Sequence, residues 1–203
     1  MDRLEADLAA YYDQEAAERA ERDLQPRRVE QRTAFLDLLV AEARRKVVEV
    51  GTGPGVDARA FLARGLAVSG VDLSPEHVRL AREAGVDAVV GSVLDLPYAD
   101  GSFDAGWTMS TLLHVPDRQL DAALAETVRV LAAGAPIAIG VWGGPDWEGP
   151  SEQDRFQPPR FFSLRSHQRW RAALERHARV VEWDTWTPDG QSWTYQWAVL
   201  RRG

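Results

Sequence analysis

The sequence contains no cysteine. That excludes a disulfide framework and thiolate metal sites, and it suits a reducing compartment. Lysine is almost as scarce, with Lys46 the only one among 24 basic residues. No stretch approaches the ~18 consecutive apolar residues of a membrane-spanning helix, so no membrane partner is expected. The opening residues, MDRLEADLAA, are acidic and lack an apolar signal core, which points to the cytoplasm rather than to secretion. No H-x-x-x-H spacing or ligand-spaced carboxylate cluster occurs, so no metal site is expected. There is also no basic tail, and the net charge is −7. That balance argues against a nucleic-acid partner.

What the chain does have is a strong local signal at VVEVGTGPG, residues 47–55. A β-branched apolar run, Val47, Val48 and Val50, ends in Gly51, Gly53 and Gly55, and a helical pattern through Ala58, Phe61 and Leu62 follows. This reads as buried strand, tight turn and helix start. Glycine permits positive φ and carries no Cβ to hold a ligand off the backbone. The helix that follows offers unpaired N–H groups to an electron-rich ligand. Asp72 ends the next apolar run, 21 positions after Gly51 (72 − 51 = 21). Nucleotide-binding α/β folds place a ribose-binding acid at about that distance. The dinucleotide pattern G-x-G-x-x-G would put its third glycine at 56, where this chain has Val56. An NAD-dependent dehydrogenase is disfavoured for that reason.

At 203 residues the chain fits a single domain, 1–203, able to bury roughly 70% of its unfolded surface. Helical periodicity covers 3–23, breaks at Pro26 and resumes over about 27–43, with Val29, Phe35, Leu36, Leu38 and Leu39 as the inward stripe. Strands are predicted at 46–50, 67–71, 86–90, 103–109 and 136–142, with helices between them ending at Gly65 and Gly85 or opening at Ser74-Pro75 and Pro116-Asp117. That alternation predicts an α/β fold around a parallel sheet. Residues 143–162, rich in glycine and proline, read as an insertion loop. A helix starting at Ser163 or Ser166 follows. Two strands, 180–187 and 192–200, are joined by Pro188-Asp189-Gly190, a hairpin signal.

The glycine string with Glu49 reads E-x-G-x-G-x-G, and the segment GSVLDLPYADGSFDAGWTMSTLLHVPD, 91–117, adds Leu96-Pro97-Tyr98, Asp100, Ser102-Phe103-Asp104 and His114. Together these resemble the class I S-adenosylmethionine-dependent methyltransferases, and within them the ubiquinone-type small-molecule subfamily. The resemblance spans about 45–142. It implies a Rossmann-like, doubly wound sheet of seven strands, mostly parallel with a C-terminal antiparallel hairpin. It also implies S-adenosylmethionine as cofactor, with S-adenosylhomocysteine as product. Residues 1–44 would be N-terminal helices covering the site, 45–142 the cofactor core, and 143–203 the insertion, helix and hairpin. The residues carried over as cofactor-binding are Glu49, Gly51, Thr52, Gly53, Gly55, Asp72, Leu73, Ser74, Ser92, Val93, Leu94, Met109 and Ser110. One position departs from the pattern. The family acid that faces the adenine amino group is Ser92 here, with Asp95 nearby either compensating or capping the turn.

The implied reaction is in-line methyl transfer to an O, N, S or C atom of a small molecule, in which positioning does most of the work. His114 is the candidate base, because it follows the fourth strand at the ligand-binding end of the sheet and an ordinary histidine pKa of about 6.5 suits proton removal. A cofactor contact or a loop-ordering role are its alternatives. His77 is expected to face solvent; His167 and His177 have no evident partner. Tyr11, Tyr12 and Trp142 are candidate substrate contacts. The aromatic set Trp142, Trp147, Phe156, Phe161 and Phe162 would serve mostly as core, with one or two in the pocket. Arg155, Arg160 and Arg165 are expected to be solvated, with a substrate carboxylate or phosphate as the other reading. A tRNA or protein methyltransferase and a non-catalytic cofactor-binding subunit are the rival functions. Nothing in the pattern fixes an oligomeric state.

Overall fold

The computed structural model describes residues 2–188, 190 and 192–203. Helix α1 (Arg3–Ala20) begins at Asp2, whose side chain accepts the Glu5 N–H while the Glu5 carboxylate accepts the Asp2 N–H. Such a reciprocal cap satisfies two donors that the first turn leaves without helical partners. Helix α2 (Pro26–Ala41) opens on proline, where the missing N–H costs no helical bond. Pro26 thus starts α2, while α1 has already ended at Ala20. Within α2, Phe35, Leu36 and Leu39 are buried, but Val29 is exposed, contrary to its expected place in the inward stripe.

The chain then alternates through β1 (Lys46–Val50), α3 (Val56–Ala63), β2 (Ala67–Asp72), α4 (Pro75–Glu83), β3 (Asp87–Val90) and β4 (Ala105–Met109). A short 3-10 turn (Leu112–His114), α5 (Asp117–Arg129) and β5 (Pro136–Gly143) follow. The remainder comprises β6 (Trp147–Pro150), β7 (Phe161–Leu164), α6 (His167–Glu175), β8 (Arg179–Trp186) and β9 (Thr194–Arg201). Seven strands form one sheet in the order β3-β2-β1-β4-β5-β9-β8. Strands β1 to β5 pair in parallel, and β9 runs antiparallel to both β5 and β8. This is the expected seven-stranded, doubly wound sheet. The chain winds outward from β1 through β3, then returns to the centre at β4. The order therefore reverses between β1 and β4, and open α/β sheets bind ligands in the crevice at that point.

Each face of the sheet has its own apolar layer, as the two-residue strand period requires. Val47 joins Phe35, Leu39, Phe61, Trp107 and Trp197 on one face. Its neighbours Val48 and Val50 join Leu112, Leu124, Ile137 and Trp170 on the other. A buried ionic cluster ties α2 to the sheet: Asp57 of α3 accepts from Arg28, from Arg32 at 2.9 Å and from Trp107 Nε1 at 3.1 Å.

One expectation changes here. Residues 143–162 are not wholly loop, because β6 and β7 form a separate antiparallel pair with Trp147 opposite Leu164. Gly149 and Pro150 in β6 hide that strand from a propensity reading. In the hairpin signal Pro188-Asp189-Gly190, Asp189 lies outside the described residues. No described helix is long and apolar enough to cross a membrane.

Candidate functional site

The site starts at the turn after β1. Gly51 has φ +73°, and a Cβ there would lie 1.9 Å from Thr111 Oγ1. Its N–H and that of Thr52 both donate to the Val71 carbonyl, at 2.7 and 3.0 Å, which folds the turn back over the end of β2. Gly53, with φ +55°, differs in one respect: a Cβ built on it would meet no atom of the described residues within 4 Å. It faces open cleft, so a ligand can approach the backbone there.

Asp72, at the end of β2, stands against this turn. Its Oδ2 accepts the Gly53 N–H at 2.8 Å, and its Oδ1 accepts the Ser74 N–H at 3.0 Å. His77 Nδ1 lies 3.2 Å from Oδ1. Burial works to raise the Asp72 pKa, but the His77 hydrogen bond and the two N–H groups outweigh it, so the carboxyl titrates below its ordinary range. A carboxylate offers about four lone-pair sites, so these three donors leave capacity for a ligand hydroxyl. The correction is to His77. It is 2% exposed, not solvent-facing, and its Nε2 is buried without a partner among the described residues. The signal was the phase of α4, whose inward stripe is His77, Val78 and Ala81.

Around Asp72 lies a cleft whose floor includes Gly51, Gly53, Leu73, His77, Val93 and Leu94. Helix α1 forms its roof, through Leu4, Glu5, Leu8 and Tyr12, which spacing places along one helix face. Three polar latches hold α1 there. Ser92 donates to Glu5, Ser74 Oγ donates to Asp13 Oδ1 at 2.5 Å, and Tyr12 Oη lies 2.6 Å from His114 Nε2.

His114 ends the 3-10 turn after β4, and its Nδ1 lies 2.7 Å from the Phe161 carbonyl. A carbonyl only accepts, so Nδ1 carries the hydrogen and Nε2 holds the lone pair that receives the Tyr12 hydroxyl. Burial, reinforced by the nearby Arg160 and Arg19 charges, pushes the His114 pKa down to about 4. His114 is therefore neutral at physiological pH, well below the ordinary value expected from its type.

A second cleft opens beyond this pair and shares Tyr12, Gly53, Met109, Ser110 and His114 with the first. Trp142, Phe162, Trp186, Trp193 and Tyr195 wall it. Glu49 and Thr52 line it too, joined by a 2.8 Å bond from Thr52 Oγ1 to Glu49 Oε2. Burial and the neighbouring Asp57 charge push the Glu49 carboxyl well above the usual carboxylate range.

Several expected residues stand elsewhere. Tyr11 is buried against Phe156, ring centroids 5.5 Å apart, and lines neither cleft. Gly55 starts α3 and faces Ala81 and Val86. Ser74 caps α4 and is fully buried, and Ser92 sits behind Glu5. Trp147 is exposed, neither core nor pocket. Arg165 is 3% exposed, held by Asp117 and by the carbonyls of Leu112 and Val115. Arg160 is half-buried in the second cleft, while Arg155 reaches Glu18 at the surface. His167 and His177 have partners after all, in Gln196 and Asp121. Among the described residues no group of three or more His, Asp or Glu side chains has the arrangement to hold a metal ion.

Residues 47–134 match the methyltransferase domain family. Methyltransferase GfsG of Streptomyces halstedii is 38% identical over 111 residues, 50% of this chain and 39% of that protein. The 2-methyl-6-phytyl-1,4-hydroquinone methyltransferase of Synechocystis is 30% identical over 171 residues, 75% of this chain and 49% of that one. The chain thus spans less than half the length of these curated relatives. Among solved structures, Burkholderia thailandensis 1,6-didemethyltoxoflavin-N1-methyltransferase, bound to 1,6-didemethyltoxoflavin and S-adenosylhomocysteine, gives a TM-score of 0.71 over 98% of this chain and 87% of that one. At 20% identity the likeness is one of fold.

Proposed function

Because the chain belongs to the class I S-adenosylmethionine-dependent methyltransferases, we propose that it catalyses methyl transfer to a small-molecule acceptor in the cytoplasm. The observation that carries this reading is the placement of Asp72 on the Gly53 N–H, at the edge of a cleft where Gly53 presents bare backbone. The residues fit an adenosyl group. Asp72 has acceptor capacity for ribose hydroxyls, and Leu73, Val93 and Leu94 supply apolar contact for a base. S-adenosylmethionine supplies a methyl group on a cationic sulfur, already reactive toward an electron-rich atom.

The protein's own part is positioning. Gly51 and Gly53 would let the cofactor lie close to the turn, and α1 would cover it and keep water out. Tyr12 and His114, common to both clefts, stand between the cofactor side and the aromatic side. An acceptor proton would leave through that pair: Tyr12 would take it as its own hydroxyl proton passes to the His114 Nε2 lone pair it already faces at 2.6 Å. Calorimetry with S-adenosylmethionine, S-adenosylhomocysteine and NAD tests the reading. Micromolar binding of the first two and none of NAD is expected; binding of NAD alone would overturn it.

A further inference from the structure

We infer that the acceptor is a flat aromatic molecule bearing an anionic oxygen, carboxylate or phenolate, with its ring against the tryptophans of the second cleft and its charge on Arg160. This rests on the methyl-transfer reading and narrows it to a substrate class.

The ring wall is a consequence of register. Trp142 near the end of β5 pairs with Tyr195 near the start of β9, and Tyr195 pairs on its other side with Trp186 at the end of β8. The antiparallel hairpin thus gathers three aromatic residues at one end of the sheet. Tyr195 meets Trp142 at 5.0 Å and Trp186 at 4.8 Å between ring centroids, and Phe162 of β7 meets Trp193 at 5.6 Å. The three tryptophans are only half-buried, so part of each indole faces the cleft. Such walls favour a flat, polarisable ligand over a saturated one of equal size.

Arg160 supplies the charge. Its Nε and Nη2 donate to the deeply buried Asp154 at 2.9 and 2.5 Å. Its guanidinium carbon sits 4.5 Å from the Tyr11 ring centre and 5.2 Å from that of Phe162. The side chain is therefore ordered before any ligand arrives, which lowers the entropic cost of using it. Burial opposes its charge, but Asp154 and Tyr12 more than restore it, so the guanidinium stays protonated.

A cationic acceptor fits poorly. Arg19, Arg22 and Arg28 line the same cleft as Arg160. Of the three acids there, Asp57 is occupied by Arg28 and Arg32, Glu49 is held toward its neutral form, and Asp23 is solvent-exposed. Two of the Arg160 N–H groups go to Asp154, and a guanidinium with donors to spare suits an anionic oxygen.

The test uses the whole protein saturated with S-adenosylhomocysteine, whose own binding is measured first. Benzoate and 4-nitrophenolate are titrated by calorimetry beside cyclohexanecarboxylate, which lacks the flat ring, and benzylamine, which reverses the charge. At least one aromatic anion should bind about tenfold or more tightly than both controls, and which one does identifies the oxygen as carboxylate or phenolate. The paired variant Asp154→Asn/Arg160→Gln leaves no orphaned charge, and should lower that affinity about tenfold to a hundredfold with S-adenosylhomocysteine affinity unchanged. Aromatic anions binding no better than the controls to cofactor-loaded wild type would overturn the substrate class and leave the methyl-transfer reading standing. Failure of S-adenosylhomocysteine to bind would overturn both.

Discussion

Ser92 donates its hydroxyl hydrogen to the carboxylate of Glu5, joining the loop after β3 to helix α1 across 87 positions. The family pattern has an acid at 92, and this chain has serine there. Helix α1 brings a carboxylate to this position, and Glu5 rather than Ser92 lines the cleft beside Asp72. Glu5→Gln keeps an acceptor for the Asp2 N–H but removes the charge. We expect S-adenosylhomocysteine affinity to fall about tenfold, as for loss of one charged hydrogen bond, with the thermal midpoint nearly unmoved. Calorimetry and a melting curve on the same variant decide it. Unchanged affinity would leave Glu5 a structural role at the helix cap and at Ser92.

Asp72→Ala removes the acceptor for the Gly53 and Ser74 N–H groups as well as for a ribose. Hydrogen bonds to charged groups are worth about 1.5–3 kcal/mol, so cofactor affinity should fall roughly tenfold to a hundredfold. A folded variant with an unchanged dissociation constant would remove Asp72 from the ribose.

Asp57 is a structural counterpart with no expected ligand. Replacing it by Ala strands Arg28 and Arg32 and leaves Trp107 Nε1 without an acceptor. Breaking a buried ion pair from one side costs about 3–5 kcal/mol. For a chain this size each kcal/mol moves the midpoint by about 2–4 °C, so a drop of roughly 6–20 °C is expected by calorimetric scan. A loss under about 1 kcal/mol would show that the cluster relaxes.

The sheet was legible because β-branched runs, glycine turns and proline-started helices repeat in register with one another, each local preference agreeing with the parallel fold. The meeting of the glycine turn with Asp72 was legible for a related reason, since it depends on backbone shape and spacing. The roof was not. Glu5, Asp13 and Tyr12 look like ordinary charged and aromatic positions of an amphipathic helix, and only packing shows that they latch onto Ser92, Ser74 and His114. His77 was misjudged because its inward phase shows only when it is read together with Val78 and Ala81 on the same face of α4. Arg160 could not be told from Arg155 or Arg165 by sequence, because burial and an Asp154 partner six positions away decide which guanidinium is fixed.

Net charge −7 leads to an expectation for macromolecules. Binding of tRNA or duplex DNA at physiological salt should be no tighter than the nonspecific range of about 10⁻⁴–10⁻⁶ M. An anisotropy titration across salt concentrations measures this. Tight binding with a steep salt slope would replace the small-molecule acceptor by a nucleic acid.

The depressed pKa of His114 has consequences for both stability and turnover. The group titrates at about 4 when folded and at about 6.5 when unfolded. Between those values the unfolded chain binds more protons, so stability rises with pH across that window. The contribution is complete above about pH 6.5 and is lost as pH falls through about 4. Glutamine at 114 can still donate to the Phe161 carbonyl and accept from Tyr12, but it takes up no proton. The wild type should therefore lose roughly 2–3 kcal/mol more than His114→Gln between pH 7 and 4, read from urea unfolding at each pH. The same shift moves the kinetic limb. Turnover with an aromatic acceptor should show no His114 titration between pH 6 and 7, the limb expected of an ordinary histidine. It should decline only as pH approaches 4. If the Tyr12–His114 pair removes the acceptor proton, His114→Gln should lower kcat by about 10²–10⁴, with cofactor affinity nearly intact. A parallel fall of affinity and kcat would make His114 a cofactor contact instead. A wild-type limb at pH 6–7 that vanishes in the variant would mean that His114 is solvated during turnover, and that α1 lifts away from it when the acceptor binds.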